Sequence, residues 1–229
     1  MDIYNFLENI YIKNIFQPLH GKYRFLQKIK KEKCKTLLDV GCGNNSPFYI
    51  KQQCPDIYYI GIDIGDYNQE KPNLADEYII TTPNNFSNTI LNCKNMMGGV
   101  DVVISSHNLE HCNNRKETLT AITNVIKQKG ILYLSFPSEK SVNFPGYRVG
   151  CLNYYDDSTH KEKPPIYKEV IQMLKENNMK IIFSSKSYKP LFSFLIGLLF
   201  EKRSKIKKAV APGTWAYWGF ETIIWARKL

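Results

Sequence analysis

Leu37-Leu38-Asp39-Val40-Gly41-Cys42-Gly43-Asn44-Asn45-Ser46 is an apolar run that carries one acid and then breaks into two glycines one residue apart. A buried parallel strand that stops abruptly and turns into a tight loop has this pattern. Gly41 and Gly43 can take backbone angles closed to other residues and, lacking side chains, let a ligand lie against the main chain. Beyond the loop, Asn45 or Ser46 can cap a helix through Phe48-Tyr49-Ile50, with Pro47 suited to its first position. The free N–H groups at that helix start would face whatever sits on the loop.

Outward from this stretch the chain alternates. Apolar runs predict strands near 36–40, 57–63, 77–81, 100–106 and 130–136, and helices near 46–53, 85–93, 115–128 and 165–177. Such alternation implies a parallel sheet wrapped on both faces, an α/β fold. Met179 to Ser185 and Gly219 to Arg227 read as two late strands, an antiparallel pair at one edge. Residues 1–33 carry helical spacing broken near Pro18 and Gly21, so two short amphipathic helices form an N-terminal cap, over a sheet edge or as a lid on a pocket. No repeat or linker divides the 229 residues, which read as one domain with insertions over 140–215.

Net charge is +10, with basic clusters at 28–35 and 202–208. An anionic partner and a lysine-rich solvated surface both account for it. The six cysteines lack Cys-x-x-Cys spacing, which argues against a zinc site or disulfide framework and for a reducing, cytoplasmic setting. The opening Met1-Asp2-Ile3-Tyr4-Asn5 shows no secretory signal. Pro190 to Phe200 is an apolar run of eleven residues followed by basic residues, too short to span a bilayer, which needs about 20. A membrane-surface contact through 190–208 is open, but a helix packed over the active site with its basic end in solvent is preferred.

A strand, a glycine loop and an acid about 20 residues on is the signature of an α/β site that holds a nucleoside by its ribose. The acid is Asp63, at the end of Tyr58-Tyr59-Ile60-Gly61-Ile62-Asp63, and one carboxylate can accept both vicinal ribose hydroxyls. The dinucleotide fingerprint places a third glycine where this chain has Ser46, and Asp39 before the first glycine would repel a pyrophosphate but suit a cationic ligand.

These residues resemble the class I S-adenosylmethionine-dependent methyltransferases, of the group often called type 11. Asp39-Val40-Gly41-Cys42-Gly43 is similar to the family's first motif, Asp63 to its ribose-binding acid, and Asp101-Val102-Val103-Ile104-Ser105-Ser106-His107-Asn108-Leu109-Glu110-His111 to its fourth-strand motif with Leu-Glu-His. The resemblance implies a Rossmann-like, seven-stranded, mostly parallel sheet with an antiparallel last strand and helices on both faces. It also implies S-adenosylmethionine as cofactor and S-adenosylhomocysteine as product. Gly41, Cys42 and Gly43 would then line the methionine end with Asp39 close by, Asp63 would hold the ribose beside Ile64, Thr82 would follow the third strand, and Ser106, His107 and Asn108 would lie near the sulfonium. Asn45 stands where many members have a third glycine, and Thr81-Thr82-Pro83-Asn84 lacks the acid often found near adenine.

If the nucleophile is a hydroxyl, a base must take its proton. His107, at the carboxyl end of a central strand, and His160, in Tyr154-Tyr155-Asp156-Asp157-Ser158-Thr159-His160, are the candidates, with His111 read as structural and His20 as a surface residue. The segment around His160 resembles the family's Asp-x-Thr-His stretch near the acceptor pocket. Tyr147, Arg148, Tyr154, Tyr155 and His160 are candidates for the acceptor pocket, with Arg148 paired to an anionic group. Asp156, Asp157 and His160 can in principle hold a divalent metal, but without a second ligand set no metal is expected.

The reading is therefore an O-methyltransferase of a small polar acceptor, phosphorylated ones included, such as a sugar or phosphate-type group of a surface-polysaccharide (capsule) precursor. Its rivals are a membrane-docked lipid or quinone methyltransferase and a catalytically degenerate partner subunit. A nucleic-acid partner is not expected, because the basic clusters lack a binding motif. The oligomeric state stays open at this level.

Overall fold

The computed structural model describes residues 21–43, 45–66 and 71–229. Strands β1 (Thr36–Val40), β2 (Tyr58–Asp63), β3 (Glu77–Ile80), β4 (Val100–Ser106) and β5 (Ile126–Pro137) pair in parallel. With β6 (Met179–Ser185) and β7 (Glu221–Lys228) they form one seven-stranded sheet of order β3-β2-β1-β4-β5-β7-β6. The late strands are antiparallel, as expected, but β7 slots between β5 and β6 and runs against both.

Both faces of the sheet are covered, and the strand sequences show why. Leu37, Tyr59, Val102, Ile131 and Ile223 enter one buried cluster, while their neighbours Leu38, Ile60, Val103, Leu132 and Ile224 enter the other. Side chains alternate across a strand, so burial on two faces demands a continuous apolar run. Helices α1 (Gly21–Lys31) and α2 (Ser46–Gln53) cover the first cluster. Helices α3 (Phe86–Met97), α4 (Arg115–Val125) and α5 (Tyr167–Glu176) cover the second. Phe25 of α1 stands 5.3 Å from the ring of Tyr133 and 5.5 Å from Trp225, so this helix seals a sheet face and neither edges the sheet nor forms a lid. The first expected N-terminal helix, with His20, lies outside the described residues.

The helix expected to run to 128 stops at Val125, because Ile126 already pairs with Val100 of β4. Lys129 then takes φ +66°, and at Gly130 a Cβ would sit 2.8 Å from the Asp101 carbonyl, so the chain turns sharply before the main run of β5. Between β6 and β7 the chain forms helices α6 (Leu191–Lys207) and α7 (Thr214–Trp218), which pack together. Gly197 and Gly213 let them touch backbone to backbone, since a Cβ on either would fall within 2.3 Å of the other strand of chain. Among the described residues no helix is long and apolar enough to cross a membrane.

Candidate functional site

The sheet order reverses between β1 and β4, and the loops leaving these strands meet there, where open α/β sheets bind ligands. Gly41 (φ +70°) sits so close to the β4 loop that a Cβ on it would lie 2.4 Å from Asn108 Oδ1. The amides of Gly41 and Cys42 donate to the Ile62 carbonyl at 2.9 and 3.2 Å, tying the loop to β2. Gly43 (φ +57°) is the reverse case: a Cβ there would meet nothing within 4 Å. Asp63 closes the loop, its Oδ2 accepting the Gly43 amide and its Oδ1 the Ile64 amide, both at 2.7 Å.

Above this loop is a cavity of about 710 Å³. Gly41, Gly43, Asp63, Ile64 and Asn108 line one end, with Pro83, Asn84 and Phe86 beyond them. His107, His111, Cys112, Thr159 and Lys161 line the other. The structure thus brings Gly41, Gly43, Asp63, Ile64, His107 and Asn108 to one cavity, as the sequence suggests, while Asp39, Cys42, Thr82 and Ser106 are not part of its lining.

Asp39 is buried, its Oδ2 accepting the Ser46 hydroxyl at 2.6 Å and the Tyr59 hydroxyl at 2.8 Å. It therefore braces the start of α2 from behind the loop. This also redirects the expected caps, since Ser46 serves Asp39 and Asn45 Oδ1 accepts the Lys71 amide at 3.0 Å. The Cys42 side chain turns into the protein, where burial, with Asp39 and Asp63 nearby, pushes its thiol far up. Ser106 Oγ pairs with Ser135 Oγ at 3.0 Å, and the Thr82 carbonyl accepts the Asn85 amide at 3.0 Å.

His107 departs from the role of a base. Its Nδ1 lies 3.1 Å from Glu110 Oε1 and its Nε2 2.9 Å from Glu221 Oε1, with the Phe220 ring stacked at 6.0 Å and Trp215 at 5.1 Å. Burial opposes charge on this ring, but the hydrogen bonds and negative charges of Glu110 and Glu221 outweigh it, and its pKa is pushed up to about 10. An imidazolium whose two nitrogens both donate has no lone pair for a proton. His107 therefore clamps β4 to β7 at the edge of the cavity, with its backbone at φ +51°.

The expected acceptor residues scatter. Tyr147 is buried in a satellite cluster with Leu152 and Phe220, and Arg148 and Tyr155 face solvent. Tyr154 is fully buried, stacked on His160 at 4.4 Å. Asp156 Oδ2 accepts the amides of Tyr147, Leu152 and Asn153 at 3.1, 3.0 and 2.8 Å, so it folds the loop and does not join Asp157 and His160 as a ligand set. The structure instead sets His160 against His111, ring centres 4.8 Å apart. The Leu-Glu-His motif marked His111 in the sequence, but nothing there paired it with a residue of the later loop. Thr159, Lys161 and Glu221 were likewise not singled out for the site by sequence.

The methyltransferase-domain family matches this chain over residues 11–192. Among curated proteins no relative matches. The plantazolicin methyltransferase BpumL, solved with a triazolic desmethylPZN analog and SAH, is similar at 20% identity and TM-score 0.61, over 98% of this chain and 88% of that one. A SAM dependent methyltransferase from Archaeoglobus fulgidus is similar at 18% identity and TM-score 0.53, over 98% of this chain and all (100%) of that one. One from Mesorhizobium loti has 12% identity and TM-score 0.59, over 92% and 100% of the two chains. At these identities the solved structures speak for the fold, and the family match speaks for membership. The chain belongs to the methyltransferase-domain family and is a class I S-adenosylmethionine-dependent methyltransferase.

Proposed function

We propose that this methyltransferase transfers its methyl group to a hydroxyl of a polar, anion-bearing acceptor, such as a sugar or phosphate-type group of a glycan precursor. The carrying observation is the polar part of the cavity lining, where His111, Asn113, Asn114, Glu117, Thr159 and Lys161 stand beyond Asn108. An acceptor with hydroxyl and phosphate oxygens matches that wall better than an apolar ring.

The loop fits the cofactor. Gly43 has no side chain and open space where one would be, and the Asp63 carboxylate, an acceptor-only group, lines the same cavity. In this reading Asp63 holds the ribose, Gly41 and Gly43 admit the methionine end, and Asn108 borders it. The sulfonium, when bound, supplies an already activated methyl. The chain's part is then alignment of the acceptor oxygen with that methyl, and exclusion of water from the line between them. A hydroxyl must also lose its proton, a task closed to His107, whose two nitrogens both donate. The test is a screen of nucleotide sugars and phosphorylated glycan precursors with the purified protein, reading product mass and fragmentation. One added methyl on oxygen supports the assignment. Transfer only to nitrogen, to carbon or to uncharged apolar acceptors overturns it.

A second reading, docking on an anionic membrane surface, is favoured by α6. This helix is amphipathic the wrong way round for a soluble protein. Ser193, Gly197, Glu201 and Ser204 face inward, with Ile196 and Phe200, while Leu191, Phe192, Leu195, Leu198 and Leu199 face solvent at 45–66% exposure. Exposed Lys202, Lys207 and Lys208 follow. Such a stripe beside a basic end suits lipid headgroups, each lysine contributing about 1 kcal/mol near an anionic surface. The two readings join in an acceptor whose reacting group is polar and whose carrier is a lipid. Flotation with anionic vesicles at low salt tests the docking. Binding abolished by L195D with L199D supports it, whereas no binding, or a concentration-dependent dimer that buries the same face, removes it.

A further inference from the structure

The cluster of Glu110, His111 and His160 has an order that neither the fold nor methyl transfer requires. One potential ligand atom from each lies within 4.8 Å of the others. What each side chain has left to offer follows from its other bonds.

His160 Nδ1 faces the Tyr154 carbonyl, which can only accept, so in the neutral ring this nitrogen carries the proton and Nε2, 3.9 Å from Asp157 Oδ2, keeps the lone pair. Thr159 gives its hydroxyl hydrogen to Asp157 Oδ1 at 2.6 Å. Its oxygen must therefore accept from His111 Nδ1, 2.9 Å away, and His111 too is held with the lone pair on Nε2. Glu110 is fully buried; its Oε1 binds His107, while its Oε2 is buried without a hydrogen-bond partner. A buried carboxylate oxygen left unpaired costs free energy and calls for an explanation.

We propose that Glu110, His111 and His160 form a three-ligand site for a divalent first-row transition metal at the acceptor end of the cavity. Two neutral imidazoles and one carboxylate are the donor set of catalytic zinc and of open-sided non-haem iron sites, and hard ions such as Mg²⁺ favour oxygen-rich sets instead. Imidazole nitrogens fixed by a carbonyl and by a hydroxyl–carboxylate relay are the outer support such sites use. Ligands at about 2.1 Å from one ion stand roughly 3 to 3.5 Å apart, so side-chain rotations of about 1 Å close the triad. His111 also lines the cavity, which leaves the ion's open positions toward it for hydroxyl or phosphate oxygens of an acceptor. The site does not depend on the O-methyl assignment, because metal binding is measured without any acceptor.

Untagged full-length protein, stripped with chelator and titrated with Co²⁺, is the direct test. One equivalent should bind, with visible d–d absorption that Zn²⁺ abolishes by displacement. H111N and H160N should each weaken binding at least tenfold while far-ultraviolet circular dichroism stays unchanged, and T159V should weaken it less. E110Q should abolish it; should that variant misfold, the two histidine variants decide. Absence of stoichiometric binding at micromolar Co²⁺ or Zn²⁺ overturns the site, and so does binding that H111N and H160N leave intact.

Discussion

The two lips of the cavity are built on different length scales. On the cofactor lip, Gly43 and Asp63 meet across 20 positions of sequence, over one strand–helix–strand unit. On the acceptor lip, His111 meets Thr159 across 48 positions and His107 meets Glu221 across 114. The first lip is a local consequence of how β1 and β2 end. The second exists only when β4, the loop after β5 and β7 are all in place, and it holds the buried Glu110 and Glu221 on either side of His107.

That contrast is sharpest at His107. Replacement by alanine leaves Glu110 and Glu221 in the interior without their shared cation, a change that costs about 3–5 kcal/mol when one partner of a buried pair is removed. Urea denaturation of H107A should show a loss of that size, the largest of any change considered. A midpoint close to that of the wild type would mean that the acceptor lip does not rest on this clamp.

The difference in length scale also accounts for what the sequence disclosed. The ends of β1, β2 and β4, the glycine loop and Asp63 were legible, because apolar runs on two-sided strands and glycines at positive φ leave local signatures. The antiparallel late strands were legible in kind, but their placement, with β7 inside β6, is a pairing between distant segments. His107 read as a candidate base from its position on the strand, and only Glu221 on β7 reveals it as a cation. The aromatic loop drew attention to Tyr147 and Tyr155, yet spacing cannot tell a buried tyrosine from an exposed one in an irregular segment. In α6 the apolar and basic residues were visible in order, while the side facing inward was fixed by the glycine contact with α7.

On the cofactor lip the expected effects are on binding more than on folding. D63A removes the acceptor of two backbone amides and the group proposed to hold the ribose. Hydrogen bonds to a charged group contribute about 1.5–3 kcal/mol, so affinity for S-adenosylmethionine should fall on the order of 100-fold by calorimetry. Undiminished affinity would sink the assignment of this lip to the cofactor.

The two glycines give a finer division. G41A puts a methyl group against Asn108 and keeps a left-handed backbone, so its loss is in stability, about 2 kcal/mol or more. G43A meets no atom and costs only the backbone strain, roughly 1–2 kcal/mol, but its methyl group enters the cavity and should weaken cofactor binding. Thermal unfolding and calorimetry on the pair separate the two outcomes. Equal effects on both would mean that the loop is less tightly held against β4 than its contacts indicate.

The smallest effect lies at the far end of the sheet and serves as the control for both lips. Asp101, at the amino end of β4, accepts the amides of Lys35 and Thr36 through Oδ2 at 2.8 and 3.0 Å, and Lys127 Nζ lies 3.5 Å from its Oδ1. Burial works to raise its pKa, but these backbone hydrogen bonds, and then Lys127, hold the carboxyl below its ordinary value. A carboxyl whose folded pKa is depressed binds fewer protons folded than unfolded in this range, so stability rises with pH. Its contribution is present above the unfolded value of about 3.9 and is lost as pH falls through the folded one. D101N should therefore be less stable than the wild type at neutral pH, with the gap narrowing as pH drops below about 4, while affinity for S-adenosylmethionine stays unchanged because neither lip is touched. A gap independent of pH would place the cost of the variant in lost backbone contacts and not in the carboxylate charge.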